Sequence, residues 1–322
     1  MNIITSLVGG SRPGMICGTT TFVAIALSEL KEDEGSGYIF YAIMFGACLQ
    51  LLFGALGMGI IVRFFPYPVI QGFANAMGIV IIAAQFAFVK KSGEITQQRN
   101  LIDIGYSWEH ITDESTSWRK GSPLFIMISY AVVSFLISLF LQKITRVVPG
   151  ALVALVISSI VEQTLRKCSN YESATIEDYA KVETPYLQPI WIDNDIDMPG
   201  LTLETFKKVY LTGIAFFCAG ISESLLTLQI IDNLTEYKGN QNRVVFGQGI
   251  ANMLSAMAGG LGGGGSVGQA VVAIHCGGIT RFSTFLSGCF MIISIYYAYD
   301  IINLVPLGAV AGVMLWSVST IL

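Results

Sequence analysis

The chain has 322 residues, of which 53% are hydrophobic and only 12% charged, about half the charged share of an average soluble domain. With a mean hydropathy of +0.64, this composition points to an all-α polytopic membrane protein. The net charge of −4 is small and the basic residues are scattered, so no nucleic-acid partner is expected. The six cysteines stand singly, with no C-x-x-C pair and only two histidines in the chain. That excludes zinc, redox and disulfide-scaffold readings, and no nucleophile–base pair or metal cluster suggests an enzyme. No basic stretch leads into an apolar core and cleavage site, so no signal peptide is expected.

In chain order, the first apolar segment, roughly Met15 to Leu30, is short and follows the irregular lead Val8-Gly9-Gly10-Ser11-Arg12-Pro13-Gly14. Tyr38 to Val62 and Val69 to Val89 are full spans joined by a turn at Arg63-Phe64-Phe65-Pro66-Tyr67-Pro68. A polar loop, Lys90 to Gly121, leads to Pro123–Leu141 and then to Pro149–Ile160. A second polar loop, Arg166 to Pro199, carries seven acids between Glu172 and Asp197. Then come Leu203 to Ile231, Val244 to Ala258, a glycine-rich stretch with a short helix to about Ile279, Phe282 to Tyr299, and Pro306 to Leu322.

Basic residues in short loops stay on the cytoplasmic side. Threading the segments alternately puts Arg63, Lys143, Arg146, Lys238, Arg243 and Arg281 together, which predicts that side as cytoplasmic and both long polar loops as external. The sequon Asn233-Leu234-Thr235 then lies inside and stays unglycosylated.

The stretch Gly259-Gly260-Leu261-Gly262-Gly263-Gly264-Gly265-Ser266-Val267-Gly268 cannot hold a regular helix, yet it sits between two membrane-type segments. Irregular backbone at membrane depth is tolerated only where it is buried in protein or lines a cavity. Ser266 is a candidate N-cap for the short helix that follows, whose free amides and positive dipole end suit an anion. The literal G-x-G-x-x-G from Gly260 to Gly265 is not a dinucleotide fingerprint, since no acid appears until Asp300 and no strand is expected before it. A glycine patch that merely packs helices is the plain structural alternative. The first segment has a similar form, with Gly9-Gly10 as a lead and Thr19/Thr20 as a hydroxyl-bearing start. Paired interrupted segments in corresponding positions point to a transporter site at a repeat interface.

Glu223, in Ala219-Gly220-Ile221-Ser222-Glu223-Ser224-Leu225-Leu226-Thr227, has apolar sequence on both sides and is a candidate for an ion or proton pathway. Thr227 lies four residues on, on the same helical face, so carboxylate and hydroxyl could both meet a cation. The alternative is a protonated Glu223 bonded to a neighbouring helix. Asp232 is expected to be solvated or capping, and His275 a packed histidine rather than a ligand.

At these residues the chain resembles the SulP (sulfate permease) family of anion transporters. The resemblance is carried by Gly9-Gly10…Gly18-Thr19-Thr20, by Phe65-Pro66-Tyr67-Pro68-Val69-Ile70-Gln71-Gly72-Phe73, by Glu223-Ser224-Leu225-Leu226-Thr227…Asp232, and by Gly247-Gln248-Gly249-Ile250-Ala251-Asn252…Gly259-Gly260…Gly265-Ser266…Gly277-Gly278-Ile279-Thr280. The second and third passages are closest to the sodium-dependent bicarbonate branch. The resemblance implies fourteen segments in two inverted repeats of seven, with two half-helices, a core moving against a gate, and usually a cytoplasmic STAS domain. Residues 1–322 are expected to form a partial transmembrane domain, about ten of the fourteen segments (the third to the twelfth), without a STAS domain.

By position, Gly18, Thr19, Thr20, Ser266 and Val267 resemble the family's anion site. Glu223 and Thr227, with backbone carbonyls near Gly263, Gly264 and Gly265, resemble its cation site. Thr19 stands where the family commonly has proline, loosening the first cap. Glu223 replaces an aspartate of the bicarbonate branch, which shifts weight from sodium coupling to proton coupling or exchange. Gln269 replaces an arginine of animal members, which argues against their chloride-dependent modes. The expected function is secondary active transport of bicarbonate or sulfate by alternating access, with Na+ or H+ as coupling ion and no cofactor. The expected partners are the anion and the lipid bilayer, with a homodimer left open. An anion channel of the same fold, a nucleobase carrier of related architecture and a non-transporting scaffold are the rivals.

Overall fold

A computed structural model describes residues 1–10, 15–20, 23–24, 27, 30, 34–64, 67–87, 121–144, 149–168, 173–179, 198–200, 202–235 and 237–321. The elements in chain order are α1 (Asn2–Val8), β1 (Cys17–Gly18), α2 (Ser36–Ala55), a 3-10 helix (Met58–Phe64), α3 (Tyr67–Ala87), α4 (Ser122–Ile144) and α5 (Gly150–Cys168). They continue as α6 (Ile176–Tyr179), α7 (Leu203–Thr235), α8 (Gln241–Met257), β2 (Gly264–Gly265), α9 (Val267–His275), α10 (Arg281–Tyr297), α11 (Tyr299–Asn303) and α12 (Leu307–Ile321). The turn residues Phe65 and Pro66, the loop residues 88–120, Arg146 and most of the acidic loop lie outside the described residues.

Apolar runs become helices because each satisfies its own backbone hydrogen bonds without water. Among the described residues, Gly37–Ala55, Pro123–Leu141 and Leu203–Thr235 are long and apolar enough to cross a membrane, and the fold is that of a polytopic all-α membrane protein. The 33 residues of α7 reach about 50 Å at the helical rise, well beyond a hydrocarbon layer of about 30 Å. Local signals set the boundaries: Pro68 lies in the first turn of α3, where a missing N–H costs nothing. The Asn240 side chain accepts from the Arg243 amide at 3.1 Å to cap α8.

Two expectations change, and three short elements appear that the sequence did not announce. The span expected from Tyr38 to Val62 ends at Ala55 and resumes as a 3-10 helix from Met58, because Gly57 turns left-handed at φ +74°. The helix expected to stop near Ile160 runs on to Cys168, because its polar extension buries Glu162 and ends in Arg166 and Lys167, which suit the negative helix end. The α1 helix and the strands β1 and β2 had no periodic signal of sufficient length.

The chain forms two compact units, Met1–Gly72 with Tyr186–Ile292, and Phe73–Pro185 with Ile293–Leu322. In the first, α2 packs against both α8 and α7, and α1 lies on α8. The α2–α7 contact is reciprocal. An added Cβ on Gly46 would meet the Phe216 ring at 2.6 Å, and one on Gly213 would meet the Phe45 ring at 2.6 Å. Phe216 joins Val23, Leu27, Ile39, Ile43 and Val209 in the largest apolar cluster. In the second unit, α4 packs on α12 and α5. Its small core joins Met127, Ala174 and Leu307, and Thr175 bridges Pro306 in an isolated β-pair.

Candidate functional site

The two glycine leads meet inside the first unit. Strands β1 and β2 pair antiparallel, with Cys17 opposite Gly265 and Gly18 opposite Gly264. The Ser266 amide donates to the Ile16 carbonyl at 2.9 Å and the Thr19 hydroxyl to the Gly262 carbonyl at 2.8 Å, extending the pairing at both ends. Because the strands run oppositely, their following helices leave from opposite ends of the crossing. On one side Ala24 donates to the Thr20 carbonyl at 2.8 Å, so Thr20 stands at a helix start. On the other, Ser266 precedes α9.

Glycine is required here by contact. A Cβ on Gly263 would fall on the Gly18 carbonyl oxygen, and Gly262 takes φ +65°, a left-handed conformation that side chains rarely adopt. Neither backbone could approach the other otherwise.

So short a ladder leaves most backbone groups unpaired, and buried unpaired groups are costly. Side chains of α7 and α8 supply the partners. The Gly265 amide donates to the Ser224 hydroxyl at 3.0 Å, and its carbonyl accepts from the Thr227 hydroxyl at 2.9 Å. The Gly263 amide donates to Asn252 Oδ1 at 2.9 Å, while its carbonyl accepts from Asn252 Nδ2 at 3.0 Å and Gln248 Nε2 at 2.8 Å. Asn252 Nδ2 also donates to Gln50 Oε1 at 2.7 Å. Ser224, Thr227, Gln248, Asn252 and Gln50 are all buried.

Glu223 is 1% exposed, and neither carboxyl oxygen has a hydrogen-bond partner among the described residues. It faces the crossing, since a Cβ on Gly264 would lie 3.3 Å from Oε2. The Thr20 hydroxyl is beside it, short of hydrogen-bond geometry. Of the residues matched to an anion site, Gly18, Thr19, Thr20 and Ser266 thus lie in or next to the crossing, and buried Val267 opens α9. Of those matched to a cation site, Glu223, Thr227, Gly263, Gly264 and Gly265 lie together, but the Gly263 and Gly265 carbonyls already accept hydrogen bonds.

Ser266 holds the N-cap position of α9 without capping through its side chain, so the first amides of the helix lack an internal acceptor. Asp232 accepts from the Gly239 amide at 3.0 and 3.1 Å, which ties the last turns of α7 to the loop before α8 rather than capping a helix. His275 is exposed in the last turn of α9 rather than packed, because the helix ends before its next turn could cover the ring. Gln269 is exposed as well. No cluster of potential metal ligands occurs among the described residues.

Residues 1–322 match the Sulfate permease family throughout. The chain belongs to that family. A candidate sulfate transporter, YbaR of Bacillus subtilis, is 29% identical over 97% of this chain and 57% of its own length. The bicarbonate transporter BicA of Synechocystis sp. is 26% identical over 97% of this chain and 53% of its own. The chain therefore spans little more than half the length of these curated relatives. The solved transmembrane domain of a cyanobacterial BicA superposes with TM-score 0.69 at 25% identity, covering 99% of this chain and 78% of that one. SLC26A9 shares the fold, with TM-score 0.64 at 12% identity, over 99% of this chain and 51% of that one. Membership in a transporter family also places the chain outside the enzymes.

Ser224, Gln248, Asn252 and Gln50 were not among the expected site residues. The signal was present: Gln50 interrupts the apolar run of α2, and Gln248 and Asn252 are four apart on one face of α8.

Proposed function

We propose that this chain is the anion-handling part of a secondary active carrier for a small inorganic anion, bicarbonate first and sulfate second. It works by alternating access around the strand crossing, with a proton as the coupling ion. The observation that carries the reading is the meeting of two glycine leads beside a buried acid whose oxygens have no donor among the described residues. Unpaired helix-start amides offer an anion its partners. An ionised carboxylate with no donor is costly in such surroundings, and a proton or a cation removes that cost. The proton is preferred because hard cations seek many oxygen ligands, while the Gly263 and Gly265 carbonyls are already engaged. The transport named for BicA and YbaR supports the choice of anions. The loops holding Lys143, Lys238, Arg243 and Arg281 face the cytoplasm in this reading.

Uptake of radiolabelled bicarbonate and sulfate into proteoliposomes, under imposed pH or sodium gradients, tests it. Saturable uptake that follows the pH gradient is expected, and Glu223→Gln removes that dependence without lowering expression. Uptake unaltered by either gradient would discard the role of Glu223, and a non-saturating current would make the protein a channel.

A further inference from the structure

We infer that Asn252, supported by Gln50, is a positioning residue of the anion site: its side-chain amide serves as a third strand, holding the Gly263 peptide in register against Gly18. The argument begins with the number of bonds. A two-residue ladder offers too few hydrogen bonds to fix its own register, and a slip by one residue would redirect both helix starts. Asn252 is the one side chain whose hydrogen bonds, among the described residues, take both backbone polar groups of a single residue in the crossing. Its Oδ1 accepts from the Gly263 amide and its Nδ2 donates to the Gly263 carbonyl, as a neighbouring strand would.

Such a clamp works in only one orientation of the amide, since a flipped Asn252 would set like atoms against each other on both sides. The Gly263 amide and carbonyl select the working orientation, and Gln50 Oε1, accepting from Asn252 Nδ2 at 2.7 Å, adds a bond that is made only in that orientation. Gln50 touches neither Gly263 nor the strands through its hydrogen bonds, so its effect on the site passes through Asn252. Gly220 leaves the room Gln50 needs, because a Cβ there would stand 2.7 Å from Gln50 Nε2. Glycine at 263 and asparagine at 252 thus form one device: one residue brings the backbones together, and the other fixes how they meet.

A reporter of register is built in. Cys17 lies in β1 opposite Gly265, is buried, and has its thiol 3.4 Å from Gln248 Oε1. Loosened pairing would expose that thiol. The inference rests on the proposed anion site for its transport consequence but not for this readout.

The test uses the full chain in native membranes, with Cys48, Cys168, Cys218, Cys276 and Cys289 replaced by serine and a membrane-permeant maleimide as probe. Asn252→Asp keeps the acceptor for the Gly263 amide but sets a second acceptor against the Gly263 carbonyl. It should raise the Cys17 labelling rate about ten-fold and the apparent KM for sulfate or bicarbonate about ten-fold, with maximal uptake per folded carrier within about two-fold. Gln50→Leu, which leaves every direct contact to Gly263 in place, should give the same pattern at about three-fold and serves if Asn252→Asp does not accumulate. Slow labelling in the parent and faster labelling in either variant supports the inference. Rapid labelling of the parent, unchanged labelling in both variants, or a raised KM with unchanged labelling overturns it. Faster labelling where even the parent takes up neither anion supports the clamp and removes the transport reading instead.

Discussion

The two units bury polar groups for different ends. In the first, buried hydroxyls and amides from α7 and α8 converge on backbone, completing a strand crossing that could not satisfy itself. In the second, Arg166 gathers Glu162 and Asp178 in two ion pairs. Arg166 Nε donates to Glu162 at 3.0 Å, and its Nη2 reaches the Ser173 carbonyl at 2.9 Å and Asp178 at 3.2 Å. The Ser173 amide also donates to Glu162 at 3.0 Å, so the cluster fastens the segment after α5 to the end of that helix. Glu162 is fully buried and takes two donors on Oε1, one of them a cation, whereas Glu223, equally buried, has no donor on either oxygen among the described residues. Two buried acids of like chemistry are thus separated by their neighbours: the partnered one stabilises, and the unpartnered one is available.

Substitutions sharpen that contrast. The largest effect is expected for Gly263→Ala, whose Cβ collides with backbone that cannot swing aside. It should abolish both the folded peak in size-exclusion chromatography and all uptake, and a well-folded variant would break the account of the crossing. Next, Arg166→Ala leaves Glu162 buried without its cation and should cost about 3 kcal/mol. The loss appears as a lower melting temperature in detergent, with the apparent KM of the remaining folded carrier unchanged. A shifted KM would blur the division of labour between the units. Gly220→Ala displaces Gln50 and should cost about 1–3 kcal/mol, with faster Cys17 labelling as its mark.

The smallest effect concerns pH. Burial alone would raise the Asp178 carboxyl, but bonds from the Thr175 amide and hydroxyl and from Arg166 hold it below the ordinary carboxylate range. A lowered folded value means the contribution is fully present above the unfolded value of about 3.9 and is lost as pH falls through the folded one. Asp178→Asn should therefore lower stability slightly at neutral pH, where the contribution is fully present, and flatten the profile below about pH 4.

Much of this was legible in the sequence, for a physical reason. Membrane helices announce themselves through length and hydropathy, so the spans beginning near Pro123 and Leu203 match α4 and α7 closely, while the one beginning near Tyr38 finds α2 but overruns its end at Ala55. Glu223 stood out because a carboxyl amid apolar residues has no inexpensive place to go. The glycine run revealed that backbone would be irregular but not what it would pair with. A partner more than two hundred residues away, such as Cys17 for Gly265, leaves no periodic trace. Gln50 and Asn252 stood out as polar residues within helices, but what they do depends on the orientation of an amide, which no spacing rule encodes. Glu162 was passed over for the opposite reason, sitting where polar residues made the helix look finished.

The exchanged rings and glycines of α2 and α7 carry a final implication for how this lineage can drift. Each glycine is a socket for the other helix's phenylalanine, Gly46 for Phe216 and Gly213 for Phe45, and each also lies against backbone, the Gly213 carbonyl oxygen 2.7 Å from a Cβ at 46 and the Ala42 carbonyl oxygen 3.0 Å from a Cβ at 213. Shrinking a ring therefore does not make room by itself, and a homologue with alanine in either socket would have had to spread the two helices apart.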